Sequence, residues 1–107
     1  MKTFKLKDMK RGWFIGNFEP SVIKTEYFEV SILTHHKDEK WPKHYHKLAD
    51  EITVLISGHM KMNGTEIFAG DIILIEKNEI TVPEFLDDCV IVCVKIPSVI
   101  GDKYEID

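Results

Sequence analysis

Cysteine is nearly absent: the chain of 107 residues has two, Cys89 and Cys93. They stand in Cys-Val-Ile-Val-Cys, which reads as one extended strand. Four positions apart on a strand is about 13 Å, beyond the reach of a disulfide. A disulfide scaffold is therefore excluded, and two small apolar core residues in a reducing, cytoplasmic setting are expected. Six glycines and four prolines are too few for a collagen-like or low-complexity chain. Positive charge is not in excess, since 14 Lys plus Arg face 18 Asp plus Glu for a net charge of −4. A dedicated nucleic-acid binder needs the opposite balance to displace counterions, so no nucleic-acid partner is expected. No apolar run reaches the roughly 18 residues of a membrane span. The lysine-rich stretch 1–11 lacks the apolar core of a secretory signal, so no membrane partner is expected either. A helical period is missing as well: no window of about 11 residues repeats apolar positions every 3.6.

What is present is an ordinary globular balance, 44% apolar and 30% charged. The length fits a single domain over 1–107 with one core. Short β-type segments alternate with turn formers throughout. Segment 12–18 is short, aromatic and bounded by turn formers. Segment 25–34 places Phe28, Val30 and Ile32 on one face. A charged loop, 37–43, leads through Trp41-Pro42 to His44-Tyr45-His46. Segment 52–56 is rich in β-branched residues, and Ser57-Gly58 turns it. Asn63-Gly64 between 60–62 and 65–68 is a strong hairpin signal. Segments 72–75, 80–82 and 89–96 follow, with 76–79 as a turn, 83–88 as a loop and 97–107 as a mixed tail. Strands at this spacing predict an all-β sandwich or barrel.

The chemistry is concentrated in a few residues. His44 and His46 are two apart, so on a strand both imidazoles leave the same face. Tyr45 then faces away and serves packing. Glu51 follows His46 by an odd offset, and a reversal over 47–50 would turn it back toward the histidines. Two nitrogens and a carboxylate from adjacent segments form the 2-His-1-carboxylate ligand set, which leaves coordination positions open. It suits Fe, Mn, Ni or Zn. Without metal, the same three groups form an acid–base cluster suited to proton transfer.

The longer string is more specific: His44-x-His46, four residues, Glu51, six residues, Gly58, then Asn63-Gly64 and Gly70-Asp71. It resembles the first motif of the cupin superfamily. The leading glycine of that motif falls on Asp38. The second family motif, a glycine followed by Pro-x-Gly and a histidine, is eroded. It begins at Gly70, but places Glu76 at the proline, Asn78 at the glycine and Thr81 at the histidine. Asn78 is a plausible replacement, since Asn tolerates positive φ. The resemblance implies a small single-domain cupin-like jelly-roll β-barrel, with the core barrel over about 26–97. It implies a divalent metal held by His44, His46 and Glu51, with the fourth protein ligand missing at Thr81. The segment carrying Thr81 is expected across the barrel from His44, with the Thr81 hydroxyl directed into an enlarged pocket.

Strand parity extends the site. If Glu51 points inward, so do Thr53, Leu55 and Ser57, while Ile52, Val54 and Ile56 face out. The outer aliphatics and the run 90–94 need cover. A second sheet, the N-terminal strand around Trp13 and Phe14, or a homodimer could supply it. Trp41, at the entrance to the motif, is either a lid or a packing residue. Thr81, Thr53 and Trp41 are thus the candidate ligand contacts. His35 and His36 end the strand before the charged loop, placed either at the barrel mouth or on an exposed turn. Lys40, Lys43, Lys47 and Lys61 surround the motif in sequence and, if they ring the mouth, favour an anion. The resulting expectation is a small-molecule-binding protein of this fold. It is either a metal-dependent isomerase, epimerase or oxygenase acting on a small anionic metabolite, or a non-catalytic module that senses or sequesters one.

Overall fold

The computed structural model describes residues 1–106. Eleven strands account for nearly all the regular structure: β1 (Trp13–Gly16), β2 (Ile23–Lys24), β3 (Glu29–His35), β4 (His44–Tyr45), β5 (Asp50–Ser57), β6 (His59–Met62), β7 (Thr65–Phe68), β8 (Ile72–Ile75), β9 (Pro83–Phe85), β10 (Cys89–Ile96) and β11 (Tyr104–Glu105). The one helical piece among the described residues is a 3-10 turn over Leu6–Asp8, so no helix is long and apolar enough to cross a membrane.

The strands make a six-stranded sheet in the order β2-β1-β3-β10-β5-β8, a three-stranded sheet β7-β6-β9 and the pair β11-β4. Leu55, Cys89 and Ile91 of the large sheet pack against Met60, Ile67 and Phe85 of the three-stranded one. This two-layer arrangement is a jelly-roll layout, expected from antiparallel strands that each bury one face. The layers do not close into one continuous hydrogen-bonded ring. The side that carries β4 meets its neighbour through an isolated bridge between His44 and Thr81 and through the Asn78 N–H donating to the His46 carbonyl at 2.6 Å.

Alternation explains which side chains enter the interior. On β10, Cys89, Ile91 and Cys93 are buried, and the residues between them are half-buried. On β5, Thr53 and Leu55 are buried. The inward series stops there, because Ser57 is exposed where the β5–β10 register shifts beside Val90. The Asn63-Gly64 hairpin forms as its sequence predicts, with both residues at positive φ. At Gly58, between β5 and β6, a Cβ would stand 2.2 Å from the Asp88 carbonyl oxygen, so only glycine fits.

Several segments depart from expectation. Segment 80–82 holds only the isolated bridge at Thr81 and no strand, and the short strand β2 was not anticipated. The 83–88 loop begins with a strand, β9, which pairs with β6. Pro83 starts that strand, where its missing N–H is tolerated, and Phe85 is driven into the core. The tail contains β11, which pairs with β4 through Tyr104 opposite Tyr45. The two rings stack at 5.4 Å, giving Tyr45 the packing role that its parity assigned.

Candidate functional site

A cavity of about 720 Å³ opens between the layers. His44, His46 and Glu51 all line it, as do Thr53, Trp41 and Thr81. The fold thus brings every sequence-predicted site residue to one cavity.

The histidines arrive on β4 and the residue after it, with Tyr45 turned the other way. Both are buried, and their rings meet edge to face at 5.4 Å between centroids. His44 donates from Nδ1 to the Pro42 carbonyl at 3.0 Å. That bond fixes the tautomer and leaves Nε2 with a lone pair. Burial pushes the His44 pKa down against the Pro42 bond. Burial, with Lys95 adding to it, takes His46 to about 4. Both rings are therefore neutral at ordinary pH. His46 Nε2 is buried without any hydrogen-bond partner, an arrangement that costs about 1–3 kcal/mol unless something occupies it.

Glu51 enters as the second residue of β5. The reversal before it is held by Asp102, whose buried carboxylate accepts the backbone N–H groups of Lys47, Leu48 and Ala49. Thr53 Oγ1 donates weakly to Glu51 Oε2 at 3.4 Å. Burial, then the neighbouring Glu51 charge, keeps the Cys93 thiol protonated, well above its usual range. Among the described residues, no three His, Cys, Asp or Glu side chains are gathered into a set that could hold a metal ion. His44, His46 and Glu51 share the cavity wall without forming such a set.

Thr81 is beside His44, not across the barrel from it. The two backbones exchange hydrogen bonds, His44 N–H to Thr81 O at 3.2 Å and Thr81 N–H to His44 O at 2.8 Å. The Thr81 side chain is 1% exposed, and its hydroxyl donates to the His44 carbonyl at 3.2 Å. It lies over the His44 ring, 3.3 Å from Nε2. The expected wet enlargement at this point is instead a packed hydroxyl.

A second cluster lies on the same cavity. His35 is 6% exposed and ends β3 on the same face as Ser31 and Leu33. Its Nδ1 is 2.6 Å from Glu39 Oε2. The Trp41 indole and the His36 backbone also donate to Glu39. Burial opposes the Glu39 charge, but these three donors outweigh it and hold the carboxyl at about 2. Phe85 stacks on the His35 ring at 4.3 Å and Trp41 meets it edge-on at 5.3 Å. Of the two histidines that end this strand, His35 lines the cavity and His36 is exposed.

The cavity's cations were not the ones nearest the motif in sequence. Lys40, Lys43, Lys47 and Lys61 do not line it, and Lys47 lies over the Tyr104 ring instead. Lys7, Arg11, Lys95 and Lys103 line it. Parity could have found Lys95, which continues the inward series Ile91-Cys93 and pairs with Glu51 across β5. No comparable signal marked Lys103, Arg11 or Lys7, which reach the cavity from the two ends of the chain. Lys95 sits over Trp13 at 5.1 Å and Lys103 over Trp41 at 4.1 Å. Within the described residues, none of the four makes a salt bridge.

No protein-family model matches the chain, and no curated protein matches it in sequence. Solved structures do match in shape. A conserved protein with a double-stranded β-helix domain from Klebsiella pneumoniae is 19% identical with a TM-score of 0.71, over 97% of this chain and 90% of that one. DMSP lyase DddQ from Ruegeria pomeroyi is 14% identical with a TM-score of 0.72, over 87% of this chain and 49% of that one. The pirin YhhW from Escherichia coli, solved in complex with nickel(II), is 15% identical with a TM-score of 0.66, over 82% and 39%. This chain thus spans about half or less of the latter two. At these identities the likeness is one of fold, and that fold is the double-stranded β-helix of the cupins.

Proposed function

We propose that the chain binds a small anionic molecule in the cavity between its sheets. The observation that carries this is the lining: four cationic side chains without salt bridges, beside two neutral imidazoles, around about 720 Å³. That volume lies in the usual range for small-molecule sites. Of the two carboxylates on the wall, Glu39 is already engaged by three donors. Glu51 alone does not balance the positive charge. Trp41, Thr53 and Thr81 would shape the site, with Trp41 placing its ring beneath the Lys103 ammonium.

The test is a thermal-shift screen over sugar phosphates, nucleotides and keto acids, followed by calorimetry on any stabilising compound. A ligand at 100 times its dissociation constant adds about 2.7 kcal/mol. Lys95→Ala and Lys103→Ala should each weaken binding. Affinity unchanged in both variants would defeat the proposal. A compound recovered unchanged after long incubation supports a binding module, and turnover supports an enzyme.

A second reading, a metal-dependent enzyme, is favoured by one observation, the unpartnered His46 Nε2. A divalent cation would take that nitrogen and His44 Nε2 alone, because the structure does not gather Glu51 with them into a three-ligand set. Such a cation supplies Lewis-acid polarisation of a bound oxygen. The nickel(II) complex of a protein of the same fold supports the reading. Metal analysis of protein purified without a polyhistidine tag, alongside the His44→Ala/His46→Ala variant, tests it. Stoichiometric metal that the double variant retains would remove His44 and His46 as its ligands.

A further inference from the structure

The first twelve residues bear an unusual relation to the cavity. Leu6, Lys7, Met9 and Arg11 all line it, yet residues 1–8 are exposed along their whole length. The hydrogen bonds of this segment are local: Asp8 N–H to Lys5 O, Met9 N–H to Leu6 O and Trp13 N–H to Lys10 O, each at 3.0 Å. Its first backbone tie to the barrel is at Gly12, whose carbonyl accepts the Ile32 N–H at 3.1 Å. A Cβ on Gly12 would stand 2.0 Å from the Ile32 carbonyl oxygen, so the segment is pinned at that point. Arg11 (φ 50) and Gly12 (φ 80) are both left-handed, which turns the chain sharply from β1 over the mouth. Residues 1–11 therefore form a strap, fixed at one end and laid on the opening by side chains alone.

The charges on the strap match those beneath it. Lys95 and Arg11 both act on Lys103, opposed by Glu105 and Glu51. Like charges gathered at one opening repel one another, so a strap carrying two of them is held less firmly without an anion than with one. An anion between them reverses the sign of that interaction. A single negative charge could be met by Lys95 and Lys103 alone; drawing down the strap cations as well calls for more.

We infer that residues 1–11 are a ligand-closed lid, and that the bound molecule carries at least two negative charges, held by Lys95 and Lys103 from below and by Lys7 and Arg11 from the strap. The inference rests on the anion-binding reading above and adds the valence of the ligand and the closure. Citrate and pyrophosphate serve as multivalent probes and acetate as the monovalent control. Trypsin cuts after Lys2, Lys5, Lys7, Lys10 and Arg11, so cleavage at these sites, read by mass spectrometry, reports the open strap. Saturating citrate or pyrophosphate should slow that cleavage by about fivefold or more, and acetate should not. By calorimetry the exposed double variant Lys7→Ala/Arg11→Ala, with its fold checked by circular dichroism, should bind the multivalent probes about tenfold more weakly. Probe binding that depends on Lys95 and Lys103, with cleavage unslowed and the double variant unaffected, overturns the lid while leaving the anion site standing. Protection by acetate equal to that by citrate overturns the valence. If neither multivalent probe binds, the lid falls together with the anion reading.

Discussion

Asp102 is the residue whose loss should reach furthest. Its carboxylate is 5% exposed and accepts Lys47 N–H at 2.9 Å, Leu48 N–H at 3.0 Å and Ala49 N–H at 2.9 Å. Hydrogen bonds to a charged acceptor contribute about 1.5–3 kcal/mol each. Asp102→Ala removes all three, but the donors are not equally stranded. Lys47 and Leu48 are exposed, so water can replace the carboxylate there. Ala49 is 2% exposed, and its N–H has no such recourse. The net loss should therefore be about 2–4 kcal/mol, well short of the full sum. For a domain of this size that lowers the melting temperature by about 10–20 °C. Asp102→Asn keeps one acceptor oxygen and turns an NH₂ toward backbone donors, so it should lose more than half as much. Calorimetric melting with urea titration at neutral pH measures both variants. A fall of less than about 3 °C in Asp102→Ala would refute the reasoning. The same turn delivers Glu51 after His46, so the alanine variant should also bind a cavity ligand more weakly.

Acid should expose the Glu39 cluster. A carboxyl held at about 2, against its ordinary 4.5, stabilises the fold fully above about pH 4.5, and that contribution is lost as pH falls toward about 2. Urea midpoints across this range should fall less steeply in Glu39→Gln than in the natural protein, and identical slopes would count against the cluster. The outer face of the large sheet carries two rows of aliphatics, Ile32-Val92-Val54-Ile72 and Val30-Val94-Ile52-Leu74, in register over four strands. With Ile72 69% and Leu74 57% exposed, a second copy is expected to cover them; light scattering should report a dimer that Ile72→Lys/Leu74→Lys converts to monomer. Thr81→His puts a third imidazole on the cavity wall beside His44. If His44 and His46 hold metal, Zn²⁺ or Ni²⁺ affinity by calorimetry should rise at least about tenfold, and unchanged affinity in a folded variant would show that position 81 does not reach the ion.

The legible parts of this molecule were those governed by strand parity and by backbone conformation. Alternation put His44 and His46 on one face with Tyr45 on the other, and tied Thr53 and Leu55 to the side of Glu51. It carried Ser57 along too, and Ser57 is exposed. That this side is the interior came from the family resemblance and the reversal over 47–50. The two places where a glycine of the family pattern is replaced are both left-handed, Asp38 at φ 62 and Asn78 at φ 70. Asp and Asn are, after glycine, the residues that meet this conformational demand at least cost. Thr81 was placed on the wrong wall because a motif fixes spacing along the chain, whereas the backbone bonds between Thr81 and His44 make them immediate neighbours. β2, β9 and β11 were missed because strands of two or three residues carry too little pattern of their own; each exists only through its partner, β1, β6 or β4. The charge of the cavity was the least legible of all. Lysines adjacent to the motif in sequence alternate out to solvent or, like Lys47, lie on an aromatic ring. The cations that face the histidines come from the far end of β10, the tail and the first eleven residues. An opening between two layers is rimmed by whatever chain segments finish there, and those are distant in sequence because antiparallel strands reverse at every turn. A motif names the wall of such a pocket, and only the folded ends of the chain decide which ligand charge the wall will accept.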